Sequence, residues 1–443
     1  MLPACCAAQR TSCSTRLAST VELPERSAGD TELEEPTSDL SAHPARVLIL
    51  GAPRGIRPSL ATARAAGFHV IAADSRADAE GLSAAHESYV CDIRDADVVT
   101  KLAQTVHAQG LVATTDHAVL AIAIAAERLG LPGIGAMAAA SATRKSLMRV
   151  RWQEQGLPQP RFAVVNDERE LRSIIAQLGL PVVLKPANAL GGGSRGVSIA
   201  RDAASLALSL EAARAAAPDG AVIIEECIDA RTEHSVELLL HNGTAHVLAI
   251  GDKIKTSAPY RVDLAVCYPT GLDADQASAV GTLAEASARA LGIFHGMVHV
   301  EIGVTPHGLQ LFEAGARCGG GATAAPVVPT AYGIDEFVEA CRLACGQAPA
   351  RTRPTQIRGV CYRFIPPRIG RVLLPDTLVA VRALPGVLDV DVWACDPIAG
   401  DGVVREGRDR IGALVTVGRT RDDALATSEA ALALLDSNDS RNR

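Results

Sequence analysis

Met297-Val298-His299-Val300-Glu301-Ile302, then Thr305-Pro306-His307-Gly308, then Leu309-Gln310-Leu311-Phe312-Glu313: two apolar runs flank a turn, and each carries one carboxylate. A tight loop centred near His307 predicts a β-hairpin in which Glu301 lies directly opposite Glu313 on one face. A one-residue change of register would part them. Facing like charges destabilise a sheet, and a divalent cation between them removes the conflict. All-oxygen ligands with open positions suit Mg²⁺ bound partly through phosphates. Two solvated carboxylates on an exposed face are the plainer alternative. Arg317 follows within Ala314-Gly315-Ala316-Arg317-Cys318-Gly319-Gly320-Gly321. Its planar fork matches a phosphoryl or carboxylate group, or a structural salt bridge. His295 and His299 share the strand face of Glu301, but an i, i+4 spacing on a strand is too wide for one zinc ion.

Upstream, the short apolar strand Pro181-Val182-Val183-Leu184 delivers Lys185, and Gly191-Gly192-Gly193-Ser194-Arg195-Gly196-Val197 comes next. Glycines let backbone N–H groups turn toward phosphate oxygens, and the lysine adds a positive charge beside them. The order differs from a Walker A loop, because the lysine precedes the glycines. A flexible surface loop is the competing reading. Strand Ala221-Val222-Ile223-Ile224-Glu225-Glu226 leads into an alternating strand from Glu233 to Leu240, whose turn at Asn242-Gly243 is a strong hairpin signal.

Order begins at Arg46-Val47-Leu48-Ile49-Leu50-Gly51. A helix from Ser59 to Ala66 and the strand His69 to Ala73, closed by Asp74, then complete a βαβ start. This resembles a dinucleotide fold, but Gly51-Ala52-Pro53-Arg54-Gly55 lacks the full glycine fingerprint, so a purely structural α/β domain competes with a nucleotide site. Helices are expected over Ala118 to Leu129, Ala138 to Gln155, Asp167 to Leu178 and Ala274 to Leu291, with a last one over Asp422 to Leu435. Residues 1–44 are rich in Ser, Thr, Pro and Glu without an apolar period and read as a disordered tail.

At 443 residues the chain is too long for one core. Hydrophobic residues make up 48% and aromatics only 3%, so Ala, Val, Leu and Ile must build the interior. A net charge of -7 gives no basic field for nucleic acid or anionic lipid, and no apolar run approaches a bilayer span. The 11 cysteines include no Cys-x-x-Cys pair: Cys91, Cys227, Cys267, Cys361 and Cys395 sit singly in strand-like sequence, as small core residues do. Cys341 and Cys345 share a helical face with no second pair to complete a zinc site, which suits a reduced, cytoplasmic setting.

Taken in order, these segments resemble the ATP-grasp superfamily, and more narrowly its carboxylate–amine branch that includes L-amino acid ligases. The resemblance runs from Arg46 to Leu435. It adds Ala142-Thr143-Arg144-Lys145-Ser146-Leu147-Met148-Arg149, similar to the family's first phosphate-lysine segment. Glu225-Glu226-Cys227-Ile228 resembles the adenine hinge, and Glu233-His234-Ser235-Val236-Glu237 the segment with the ribose-binding acid. The fold this implies is α/β and α+β: an N-terminal α/β domain (45–140), an ATP-grasp domain (141–350) and a small C-terminal α+β subdomain (351–443).

By that resemblance, Lys145 and Lys185 contact ATP phosphates, and Gly193, Ser194 and Gly196 close over them. Glu225, Glu226 and Ile228 form the adenine hinge, Glu233 holds the ribose, Glu301 and Glu313 carry Mg²⁺ (or Mn²⁺), and Arg317 is catalytic. The implied reaction activates a small carboxylate as an acyl phosphate and joins it to an amine, an amino acid being the expected partner. A homodimer is implied by resemblance alone. Rival readings are a carboxylase or nucleotide-pathway enzyme that uses carboxyphosphate, and an ATP-binding protein without catalysis. Three departures stand out: Gly315 where many relatives carry Asn, Ala265-Val266 where a substrate loop often ends in Gly-His, and Arg261 in place of an apolar residue.

Overall fold

Val47, Leu48, Ile49 and Leu50 are wholly buried, as an apolar run covered on both faces must be. In the computed structural model they form the centre of the first of three sheets. Residues 44–165, 168–188, 193–367, 373–393 and 401–437 are described. The expected tail therefore lies, Pro44 apart, outside the described residues, as do Asp167, Gly191 and Gly192. Among the described residues no helix is long and apolar enough to cross a membrane.

The first sheet contains β1 (Arg46–Leu50), β2 (His69–Asp74), β3 (Glu87–Val90) and β4 (Gly110–Ala113), all parallel, in the order β3-β2-β1-β4. Gly51 turns the chain after β1 at φ +96°, and a Cβ there would come within 2.5 Å of Thr114 Oγ1. Asp74 closes this turn: its carboxylate accepts from Ala52 N at 2.7 Å and from Arg76 N at 2.9 Å. The acid that closes the βαβ start is thus committed to backbone.

The second sheet contains β5 (Phe162–Val165), β6 (Val182–Pro186), β7 (Ser198–Ala200) and β8 (Val222–Glu226), antiparallel, in the order β5-β8-β6-β7. Along β6, Val182, Leu184 and Pro186 are buried, and Val182 and Leu184 pack with Leu210, Ala213, Val222 and Ile224. By strand alternation Val183 and Lys185 point the other way, into a cavity.

The third sheet has eight antiparallel strands: β9 (Thr232–His241), β10 (Thr244–Lys255), β11 (Asp263–Tyr268), β12 (Gly296–Thr305), β13 (Gly308–Gly315), β14 (Gly359–Ile365), β15 (Val387–Val392) and β16 (Gly412–Gly418). Their order is β13-β12-β9-β10-β11-β14-β16-β15, so the C-terminal strands extend the sheet that carries the carboxylate hairpin. Asn242 and Gly243 join β9 to β10 with φ of 50° and 79°, both left-handed, as the Asn-Gly signal requires.

Two expectations are corrected. The helix expected over Ala138 to Gln155 is two helices, Ala136–Thr143 and Lys145–Glu154. Arg144 between them is extended (φ -113°, ψ 109°) and forms a bridge with Asn188, which breaks the helix and places Lys145 at the first position of the second one. The carboxylate hairpin does pair Glu301 with Glu313, but by another route. The turn pairs Thr305 with Gly308, a register that continued regularly would set Phe312 opposite Glu301. A β-bulge between Ile302 and Glu301 leaves Phe312 unpaired and restores the acids to opposition.

Candidate active site

A cavity of about 1340 Å³ opens between the second and third sheets and is closed at one end by loops of the first. Lys145, Lys185, Gly193, Ser194, Glu225, Glu226, Ile228, Glu233, Glu301, Glu313 and Arg317 all line it. Gly196 does not. At φ +67°, a Cβ on it would meet Ala216 Cβ at 2.5 Å, so it is the close approach of the loop to the helix Ala203–Ala216 that needs a glycine.

Each candidate cation stands against an anion. Lys145 Nζ donates to Glu313 Oε1 at 2.5 Å, and Lys185 Nζ to Glu225 Oε2 at 2.7 Å. Glu225 is therefore a counter-ion inside the wall rather than a group free for the nucleotide. It also accepts from Arg149 Nε at 2.8 Å and is 1% exposed. Burial alone would raise its pKa, but the charges of Arg149 and Lys185 prevail and hold it at about 2. The Lys185 pKa is lowered as well: burial depresses it more than Glu225 restores it, and the neighbouring charge of Arg149 adds to the depression.

At the metal-candidate pair, Glu301 is ion-paired with Lys253, whose ammonium also lies 3.1 Å from Asp263. Desolvation opposes ionisation of Glu301, yet Lys253 and His299 keep its pKa well below the ordinary value. His299 Nδ1 is 2.7 Å from the buried Glu237, and Nε2 is 3.7 Å from Glu301. His295 instead bonds Leu343 O at 3.1 Å, so the two histidines serve different partners. Among the described residues no group of three or more His, Cys, Asp or Glu could hold a metal ion.

Glu233 receives Lys255 at 2.6 Å and Arg261 at 2.5 Å. The departure at Arg261 thus reaches the candidate ribose acid rather than solvent alone. At the hinge, Glu226 N donates to Arg161 O at 2.8 Å, and its carboxylate accepts from Arg161 Nε at 3.0 Å. Arg317 is indeed in a salt bridge, Nη2 to Asp116 Oδ2 at 2.7 Å, and it also lines the cavity. Burial would depress its pKa, but Asp116 raises it.

Lys253, Lys255, Asp263, Asp116, Glu237 and the role of Arg149 were not read from the sequence. Period-2 alternation within β10 could have found the first two, since Lys253 and Lys255 share one strand face. Asp116 and Arg317 lie 201 residues apart, and no local signal links them.

Residues 178–325 match the ATP-grasp domain family, 60–133 the ATP-grasp N-terminal domain and 363–438 the L-amino acid ligase C-terminal domain 2. The fold is similar to the crystal structure of L-amino acid ligase from Bacillus licheniformis, with a TM-score of 0.74 at 21% identity over 90% of this chain and 98% of that one. Human carnosine synthase 1 is 27% identical over 60% of this chain and 35% of its own. An uncharacterized protein of Sinorhizobium fredii is 27% identical over 69% of this chain and 63% of its own. The chain thus spans less than two thirds of these two curated relatives. D-alanine–D-alanine ligase of Aromatoleum aromaticum is 33% identical over 48% of this chain and 70% of its own. With that coverage, and three family matches in the expected order, the chain belongs to the ATP-grasp family.

Proposed function

We propose that this chain is an ATP- and Mg²⁺-dependent ligase that activates a small carboxylate as an acyl phosphate and joins it to an amine, with an amino acid as a substrate, releasing ADP and phosphate. The observation that carries the reading is the opposition of Glu301 and Glu313 in the cavity that Lys145, Lys185 and Arg317 also line. On this reading residues 45–140, 141–350 and 351–443 are the three functional parts. The relatives named above as carnosine synthase and D-alanine–D-alanine ligase support the substrate class, as does the L-amino acid ligase C-terminal family match.

The residues present fit a magnesium ion. Two facing carboxylates, unaccompanied by a third such ligand among the described residues, leave positions for phosphate oxygens and water, as Mg²⁺ prefers. Bound there, the metal would neutralise charge on the β- and γ-phosphates. Phosphoryl transfer needs mainly positioning and charge neutralisation. Lys145 and Lys185 would bind phosphate oxygens, with Gly193 and Ser194 covering them. Glu226 and Ile228 would read the adenine edge and Glu233 the ribose hydroxyls. The substrate carboxylate would attack the γ-phosphorus, and ADP would leave. The amine would then displace phosphate from the acyl carbon, with Arg317 steadying negative charge on the reacting oxygens and Asp116 orienting Arg317.

The test is a phosphate-release screen with ATP and Mg²⁺ over pairs of amino acids and small acids, with bicarbonate as a separate arm. Amide products that appear only with an acid and an amine together support the ligase. Turnover with bicarbonate alone would overturn it in favour of carboxyphosphate chemistry, and ATP binding without any turnover would leave only a nucleotide-binding protein.

A further inference from the structure

Arg149 is one of the largest fully buried side chains of the molecule, 2% exposed, and it lies behind the cavity wall rather than in it. It sits on the helix that Lys145 begins, and its guanidinium reaches both sheets that enclose the cavity. Toward the second sheet, Nε donates to Glu225, the counter-ion of Lys185. Toward the third, Nη1 donates to Leu311 O at 2.9 Å and Nη2 to Phe312 O at 3.0 Å.

Those last two acceptors are consecutive. In a regular strand, consecutive carbonyls point to opposite edges, so one planar fork can take both only where the strand is irregular. Phe312 is the unpaired residue of the bulge. β13 is the edge strand of its sheet, and its outer side is met by Arg149 and by Pro158 O, which accepts from Leu311 N at 2.9 Å. The bulge matters because, without it, Phe312 would face Glu301 while Glu313 faced Val300 on the opposite side of the sheet.

We propose that Arg149 is a positioning residue that fixes the register of the two candidate metal carboxylates. Its fork holds the carbonyls of Leu311 and Phe312 to one side, which pins the bulge and sets Glu313 opposite Glu301. Through Glu225 the same guanidinium holds Lys185 in that frame. It touches neither nucleotide nor metal, and it rests on the ATP and metal reading above.

Arg149→Lys separates charge from fork, because an ammonium can satisfy Glu225 but cannot take two carbonyls in one plane. Deletion of Phe312 removes the extra residue while preserving every pairing around it: Leu311 still faces Ile302, and the glutamate and alanine that follow still face Glu301 and Val300. The pin should therefore be needed only while the bulge is there. The experiment measures Mn²⁺ affinity by electron paramagnetic resonance on the full chain with a non-hydrolysable ATP analogue, for R149K in the native and in the Phe312-deleted background. Loss of a supporting contact typically weakens a metal site by about 10–100-fold, so R149K should cost about tenfold or more in the native background and less than about threefold in the deleted one.

Equal losses in both backgrounds, or no loss in either, overturn the proposal. If R149K fails to fold in the native background, recovery of its thermal unfolding transition by the deletion supports the pin, and failure in both overturns it. Absence of Mn²⁺ binding by the unaltered chain would instead bring down the metal reading, and this inference with it.

Discussion

Lys185 and Lys145 enter one cavity from different walls, and their carboxylate partners differ more than the lysines do. The side chain of Glu225, which holds Lys185, is 2% exposed and shared with Arg149, itself 2% exposed. Glu313, which holds Lys145, is 38% exposed and lines the open cavity. A buried pair cannot exchange partners cheaply, because removing one member strands an uncompensated charge at about 3–5 kcal/mol. A partly solvated pair can. The Lys185 side is thus a fixed scaffold, and the Lys145 side is a set of anions and cations that a nucleotide and its metal can re-pair. Lys253 with Glu301, and Arg261 with Glu233, are nearer the second kind, since one member of each pair is partly solvated, Glu301 at 23% and Arg261 at 41% exposed.

Glu313→Ala tests the exchangeable side hardest. Turnover should fall about 10³-fold, near 4 kcal/mol of transition-state stabilisation. Binding of a non-hydrolysable ATP analogue should fall less than about tenfold, because Lys145 is then freed for phosphate. Equal losses in turnover and in analogue affinity would break the comparison, since Glu313 would then be holding nucleotide in the ground state.

Glu225→Gln probes the fixed side, and its readout is stability. The carboxyl is held at about 2 against an ordinary 4.5, a depression worth roughly 3 kcal/mol. A depressed acid contributes stability that is fully present above its unfolded pKa and disappears as pH falls through the folded one. Urea unfolding should therefore separate the native chain from E225Q by about 3 kcal/mol at pH 7, narrowing from about pH 4.5 downward toward pH 2. A gap that stayed constant across that window would mean that Glu225 contributes by shape, not charge. Asp116→Asn is milder because the amide oxygen can still accept from Arg317: kcat should fall about tenfold, near 1.4 kcal/mol, with the KM for ATP little changed. A change in the KM for ATP alone would place Arg317 on the nucleotide.

What could be read beforehand follows the same division. The strands and the Asn242-Gly243 turn rest on local alternation and turn chemistry, which a sequence displays directly, whereas the opposition of Glu301 to Glu313 was expected from a loop centred near His307 and is reached through a bulge instead. The bulge at Phe312 did not show, because hydrophobic alternation on either side of it is uninterrupted and the extra residue looks like one more apolar strand position. The helix break at Arg144 was hidden for a related reason: its cause is a bridge to Asn188, not a glycine or proline. The fixed charges were hardest of all. Arg149 lies 76 residues from Glu225 and 163 from Phe312, so three strong bonds on one side chain leave no trace in its neighbours.

Arg261→Ala is the smallest effect and the finest test of the comparison. Arg261 is 41% exposed and shares Glu233 with Lys255, which is only 11% exposed and keeps the acid paired once the arginine is gone. Solvent-screened pairs of this kind contribute about 0.2–1 kcal/mol, so the unfolding free energy of R261A should move by no more than that. Arg261 and a ribose hydroxyl compete for the same carboxylate oxygen in the exchangeable view. Removing the arginine should then tighten the ATP analogue by up to about fivefold, the binding equivalent of about 1 kcal/mol, as titration calorimetry would register. The sign carries the argument more than the size. If R261A binds the analogue tenfold or more weakly, Arg261 is a nucleotide ligand that happens to rest on Glu233, and Glu233 with its cations belongs with Glu225 on the fixed side.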